Sequence, residues 1–248
     1  MIKIFDEIFD SFENEDIKEF AKTCITSAPE YWSHVPASST GKYHPSFSLG
    51  DGGLLRHTVA VARFLNYLFN IESIADQYTS RQRDLLRVAA ITHDIQKSGT
   101  QADYEKSKYT RFDHPLRAAT MIRELDGLPQ NELEFIAHCV ESHMGQWNTD
   151  KRSQIVLPKP KDKYQIILHV ADYLASRKDI DMKFETAPID NKEDLLDINT
   201  WRFTFGKYNG KTIPEVAKEN PQYIEWAKAN MEKEPAKTLL KNFELKEE

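Results

Sequence analysis

The sequence predicts a mainly α protein, a large helical bundle followed by a small α+β module made of a β-hairpin and helices. Between Gly53 and about Lys178, apolar residues recur at helical spacing in five successive stretches with little strand character between them. After a polar interval the pattern changes. Trp201, Phe203 and Phe205 alternate on one face, and Asn209-Gly210, a strong two-residue hairpin signal, follows. At 248 residues the chain is long enough to bury a substantial core in a main domain with a small one beside it.

From the N-terminus, residues 2–29 read as one or two amphipathic helices with Ile4, Ile8, Phe9 and Phe12 in a stripe. Residues 28–53 are rich in Pro, Ser and Gly and form a loop long enough to be a functional surface. Helices are expected near 53–71, 81–97, 114–126, 130–144 and 163–178. The segment KDIDMKFETAPIDNKEDLLDINT is polar and unperiodic and reads as a linker. Beyond it, Pro214 takes a helix-starting position and Pro221 breaks the helical run. The expected units are residues 1–190 and residues 198–248.

The net charge of -6 gives no long-range attraction to phosphate backbones and weighs against tight nonspecific binding of duplex nucleic acid. Cys24 and Cys139 are too few for a disulfide framework or a thiolate zinc site, so a reducing compartment is expected and any metal needs other ligands. No apolar run approaches the roughly 20 residues of a membrane span. The acids of MIKIFDEIFDSFENEDIKEF argue against a signal peptide. The expectation is a cytoplasmic protein with no membrane partner.

The histidines fall on the apolar stripes. His57 fills the missing position among Leu54, Val61, Phe64 and Leu68; His93 shares a face with Leu86 and Ala90, and Asp94 lies about 100° round the same helix. His114 heads the stripe of Ala118, Met121 and Leu125, His143 continues Leu133, Ile136 and Val140, and Asp172 sits between Leu168 and Ala175. Four histidines and two aspartates from five expected helices thus point into one interior. Two buried carboxylates without partners are very costly, and a metal removes that cost. Imidazole and carboxylate ligation without thiolate suits divalent manganese, iron, nickel, magnesium or zinc. Asp94 is placed to bridge two such ions, roughly 3.5–4 Å apart in two-metal hydrolases.

The segments GGLLRHTVAVA, ITHDIQKSG, DHPLRAATMI, CVESHMGQW and LHVADYLASR together resemble the HD-domain metal-dependent phosphohydrolases over about residues 35–180. The flavour is that of the HD domain of bacterial 3′ to 5′ exoribonucleases and of relaxase-associated HD proteins. The resemblance implies an HD-type helical bundle in which His57, His93, Asp94 and Asp172 bind a first metal. Asp94, His114 and His143, with His138 as a further candidate, would hold a second. The stripe reading favours His143, which leaves His138 either a ligand outside the regular helix or a group that supports one. Asp94 and Lys97 are the catalytic candidates. Lys97 matches a family lysine expected to meet the phosphate, or is simply an exposed helix residue. Gln96 departs from the family, which commonly has glycine there. His44, in an approach loop like that of the relatives, is with Lys42 a candidate for substrate phosphate, or else a solvated loop histidine. His169, one turn before Asp172, reads as a supporting or core residue.

FTFGKYNGKTIPEVAKENPQYIEWAKANM resembles the small module appended to exodeoxyribonuclease X. It offers Lys207, Tyr208 and Lys211 around a hairpin tip to a phosphate or a stacked base. The alternative is that Phe205, Tyr208, Tyr223 and Trp226 form a small core. With nine Lys+Arg against eight Asp+Glu, residues 201–248 are no electrostatic clamp. The expected function is a metal-dependent phosphodiesterase on single-stranded nucleic acid, a 3′ to 5′ exonuclease. The alternatives are a nucleotide phosphohydrolase acting on dNTPs, monophosphates or cyclic nucleotides, and a noncatalytic nucleic-acid-binding protein with a structural metal site.

Overall fold

The computed structural model describes residues 3–38, 41, 44–184, 197–204 and 206–244. Lys42, Phe205 and much of the expected linker lie outside them. Two short helices open the chain, α1 (Asp6–Asp10) and α2 (Glu15–Thr26). The bundle is built from α3 (Gly53–Phe69), α5 (Ser80–Thr92), α7 (His114–Glu124), α8 (Gln130–Glu141) and α9 (Lys163–Ala175), with the short α4 (Glu72–Ala75) and α6 (Gln101–Lys106) in its connections.

Helix α3 is the centre because its sequence is apolar almost all round: Leu54, Leu55, Val59, Ala60, Val61, Ala62 and Leu65 are all fully buried. It packs against both α5 and α9, and α5 packs in turn against α8. Local signals fix the helix starts. Thr79 and Gln82 close a capping box on α5, and the Asp162 carboxylate accepts from the N–H groups of Tyr164 and Gln165 at the head of α9.

Asp84, buried in α5, joins the N-terminal helices to the bundle. One of its oxygens accepts from the N–H groups of Glu13 and Asn14 at 2.9 and 2.7 Å, and the other from Arg87 at 2.6 Å. Those bonds satisfy a carboxylate that would otherwise be costly to bury, and they set the chain's approach to α2.

A second hydrophobic core gathers Trp201, Phe203, Tyr208, Ile213, Val216, Ile224, Leu239 and Leu240 around α10 (Ile213–Glu219), α11 (Pro221–Asn230) and α12 (Ala236–Lys241). Each large apolar side chain buried there contributes about 1.5–3 kcal/mol. The expected α+β character of this region is not found. There is no β-strand among the described residues, so the β-hairpin of the expected fold class is replaced by a single antiparallel bridge, Arg202 to Thr212. The tight hairpin turn that Asn-Gly favours needs a positive φ at both central residues. Gly210 has φ 82°, but Asn209 is not left-handed, and residues Gly206–Tyr208 form a 3-10 turn that carries Tyr208 into the core. Tyr208 gains more from burial, with its hydroxyl accepting from Asn220 at 3.0 Å, than from standing at a hairpin tip. No helix among the described residues is long and apolar enough to cross a membrane.

Candidate metal centre

The bundle brings six side chains to one place. His57 and Asp172 come from within α3 and α9, and His114 is the first residue of α7. His93, Asp94 and His143 sit just past the ends of α5 and α8. Helix α5 stops at Thr92 instead of running on to residue 97. From there the backbone bonds skip three residues, Ile95 to Thr92 at 3.1 Å and Lys97 to Asp94 at 3.0 Å. His93 and Asp94 both face inward from this turn and converge on the centre from a shared edge, with His93 Nε2 3.4 Å from Asp94 Oδ2. Both are at most 1% exposed.

Three of the rings are aimed in one way. Nδ1 of His93, His114 and His143 donates to the carbonyl three residues upstream, Ala90 at 2.8 Å, Arg111 at 2.6 Å and Val140 at 2.7 Å. A carbonyl only accepts, so the proton of the neutral ring is on Nδ1 and the Nε2 lone pair faces the centre. Around that centre Asp94 divides its two oxygens. Oδ1 lies 2.9 Å from His114 Nε2 and 3.6 Å from His143 Nε2. Oδ2 lies 3.4 Å from His93 Nε2 and 3.9 Å from His57 Nε2. Asp172 Oδ1 completes the second group, 3.1 Å from His57 and 3.8 Å from His93.

The set is short of protons. His114 Nε2 and Asp94 Oδ1 are two acceptors face to face, and Asp94 Oδ1 is buried without a hydrogen bond. His114 and His143 likewise direct Nε2 at one another across 3.4 Å, as do His57 and His93. Protonating His114 does not resolve this at neutral pH, because burial pushes it down to about 4. Burial acts in the opposite sense on the carboxylates and is overcome. The Lys97 ammonium holds Asp94 well below the ordinary carboxylate value, and the His57 hydrogen bond does the same for Asp172. Anionic oxygens and the lone pairs of His93, His114 and His143, converging with only the His57–Asp172 proton among the six groups, are the donor set of a divalent cation. Their separations match ligand atoms about 2.0–2.2 Å from a shared ion. The residues fit a divalent metal.

The other expected site residues fall in different places. Lys97 donates to Asp94 Oδ2 at 2.6 Å at the edge of the centre. His44 packs its ring 5.5 Å from that of His57, and burial, with His57 and Lys97 adding to it, lowers it to about 4. Lys42 lies outside the described residues. His138 needs correction as a metal ligand: its side chain is 61% exposed on the outer face of α8 and faces Glu134 at 3.7 Å. The α8 helix is regular through Glu141, so His138 stays on the side its spacing gives it. Lys207 and Lys211 border Tyr208 of the second core, with ammonium groups 5.2 and 5.9 Å from its ring, and Lys211 also pairs with Glu219. Tyr208 is buried and offers no face to a base, whereas Trp226 is 53% exposed and outside the core.

His169 supports the centre through His143, its Nδ1 donating to the His143 carbonyl at 2.7 Å. Gly145 makes room for it. A Cβ there would meet the His169 ring at 2.1 Å, and its φ of +56° disfavours any other residue. One supporting residue carries no sequence signal, because it acts across a long separation. The buried hydroxyl of Tyr31 donates to the Gly99 carbonyl at 2.7 Å and accepts from the Ser98 N–H at 2.9 Å, pinning the turn that carries Lys97.

Comparison with known families agrees with this geometry. A family model described as HD domain matches residues 54–177, half of the chain, and one described as Exodeoxyribonuclease X-like C-terminal matches residues 203–232. No curated protein and no solved structure matches the chain. The first of these spans opens in α3 three residues before His57, closes just past α9, and contains all six converging side chains. The chain belongs to the HD-domain family of metal-dependent hydrolases.

Proposed function

We propose that this chain is a metal-dependent phosphodiesterase that removes nucleotides from the 3′ end of single-stranded nucleic acid. The observation that carries the reading is Asp94, whose Oδ1 faces His114 and His143 and whose Oδ2 faces His93 and His57. In this assignment His57, His93, Asp94 and Asp172 hold one divalent ion, and Asp94, His114 and His143 hold another. Ions bound there supply Lewis-acid charge to a phosphoryl group and lower the pKa of an attacking water.

The remaining chemistry belongs to the chain. Lys97 keeps its ammonium at the rim through the 2.6 Å bond to Asp94, where a second donated proton reaches a phosphoryl oxygen as negative charge develops. Neutral His44 closes the approach loop over His57 and contributes a hydrogen bond without adding charge. Asp172, with 18% of its side chain exposed against 1–2% for Asp94 and His57, marks the side on which substrate reaches the centre. The resemblance of residues 203–232 to the end of an exodeoxyribonuclease supports a nucleic-acid substrate. The net charge of -6 favours a second reading, hydrolysis of free nucleotides, because it gives no attraction to a long polyanion.

The test is release of nucleotides from 3′- and 5′-labelled single-stranded DNA and RNA with manganese, beside dNTP and cyclic-nucleotide controls. Stepwise shortening from the 3′ end is expected. Hydrolysis of the small nucleotides alone would replace this reading with the second one.

A further inference from the structure

We infer that Trp147 and Tyr173 form a stacking platform that receives a nucleobase of the strand whose phosphodiester reaches the metal centre; this rests on the phosphodiesterase reading above. Both rings stand in solvent, Trp147 47% and Tyr173 37% exposed. They are stacked nearly parallel, 13° apart with centroids separated by 6.0 Å, so that a base extends the stack on the outer face of Trp147. The Arg177 guanidinium lies 4.2 Å from the centre of the Tyr173 ring and adds positive charge to the patch.

The platform adjoins the centre on its open side. Tyr173 follows Asp172, the most exposed of the six converging side chains. Trp147 packs against the His169 ring at 6.1 Å, and His169 bonds the carbonyl of His143. Between Trp147 and α9 the chain carries the exposed cations Lys151, Lys159 and Lys161, together with Arg152, which pairs with Asp150. Exposed rings and a neighbouring stretch of chain that carries exposed cations supply the two kinds of contact that hold a single strand, stacking on bases and charge on the backbone. The cations are local and operate despite the acidic whole. A nucleobase therefore fits this surface better than an apolar protein face does.

The test is binding of the full chain to a fluorescein-labelled oligothymidylate and to an abasic oligomer of equal length and charge. Anisotropy is read in EDTA and again with calcium. Trp147→Ala and Tyr173→Ala are expected to weaken binding of the base-bearing strand by about 5- to 150-fold, as loss of one stacked base predicts. Binding of the abasic strand should not change, and Trp147→Phe should restore most of the loss. Equal weakening of both strands, no weakening, or a wild-type chain that binds neither overturns the platform. So does a concentration-dependent dimer that Trp147→Ala dissolves, because the surface then belongs to a second copy. Base-dependent binding without hydrolysis in manganese would overturn the phosphodiesterase reading alone. Hydrolysis with base-independent binding would overturn the platform alone.

Discussion

Asp94→Asn probes the double duty of one side chain. Asp94 approaches His114 and His143 through Oδ1 and His93 and His57 through Oδ2, so a single substitution withdraws an anionic ligand from both groups. Asp172→Asn reaches only one, through the oxygen 3.1 Å from His57. An ion present at 100 times its dissociation constant stabilises the folded chain by about 2.7 kcal/mol. For a protein of this size, each kcal/mol moves the melting temperature by about 2–4 °C. With two such ions, manganese should therefore raise the wild-type melting temperature by about 11–22 °C over its value in EDTA. Asp94→Asn should lose nearly all of that rise and retain almost no metal after dialysis, while Asp172→Asn keeps about half the wild-type content. In EDTA the asparagine variant should melt within a few degrees of wild type. Its amide can donate to the His114 lone pair, and Lys97, already 13% exposed, can turn to water. Differential scanning fluorimetry and plasma mass spectrometry read the two quantities. An Asp94→Asn protein with wild-type metal content and an undiminished shift would refute the assignment of both groups.

Lys97→Met should lower kcat/KM about 100-fold, the cost of one preorganised donor, while metal content stays at the wild-type level; equal loss of metal would make Lys97 a partner of Asp94 and nothing more. Gly145→Ala should lower the melting temperature by about 4–12 °C, from a left-handed backbone cost of about 1–2 kcal/mol plus the overlap with His169. A melting temperature within a degree of wild type would refute the close approach. The pH dependence follows from His114 and His44, both lowered to about 4 chiefly by burial from the ordinary 6.5. Between those values the unfolded chain binds more protons than the folded one, so stability falls as pH drops from about 6.5 to about 4. Urea unfolding in EDTA at intervals across that window should show a steady decline, and a flat profile would contradict the buried neutral rings.

The periodic parts of the centre were legible in the sequence. His57, His114 and Asp172 follow the stripes of their helices, and the structure sets them where the stripes point. His93 and Asp94 converge from a shared edge as their adjacency in the sequence suggests, but the helix ends at Thr92 and both sit in the turn beyond it, whose backbone bonds residue spacing does not encode. The hairpin expected at Asn209-Gly210 failed because local turn preference competes with burial of Tyr208, and the core prevailed. Tyr31 and the Trp147–Tyr173 pair were invisible to periodicity. The first acts across 67 residues, and the second requires knowing which aromatic rings the fold leaves uncovered.

The three bonds from ring Nδ1 to a carbonyl three residues upstream make the aim of the histidines a property of the main chain. Every residue type supplies a carbonyl, so residues 90, 111 and 140 are free to drift wherever their side chains still pack. A change in length is another matter. One residue inserted between Ala90 and His93, or between Val140 and His143, rotates the ring by about 100° and takes its carbonyl away. The centre is thus tolerant of substitution in these turns and intolerant of insertion, and its surviving variants will differ in letters while keeping the count.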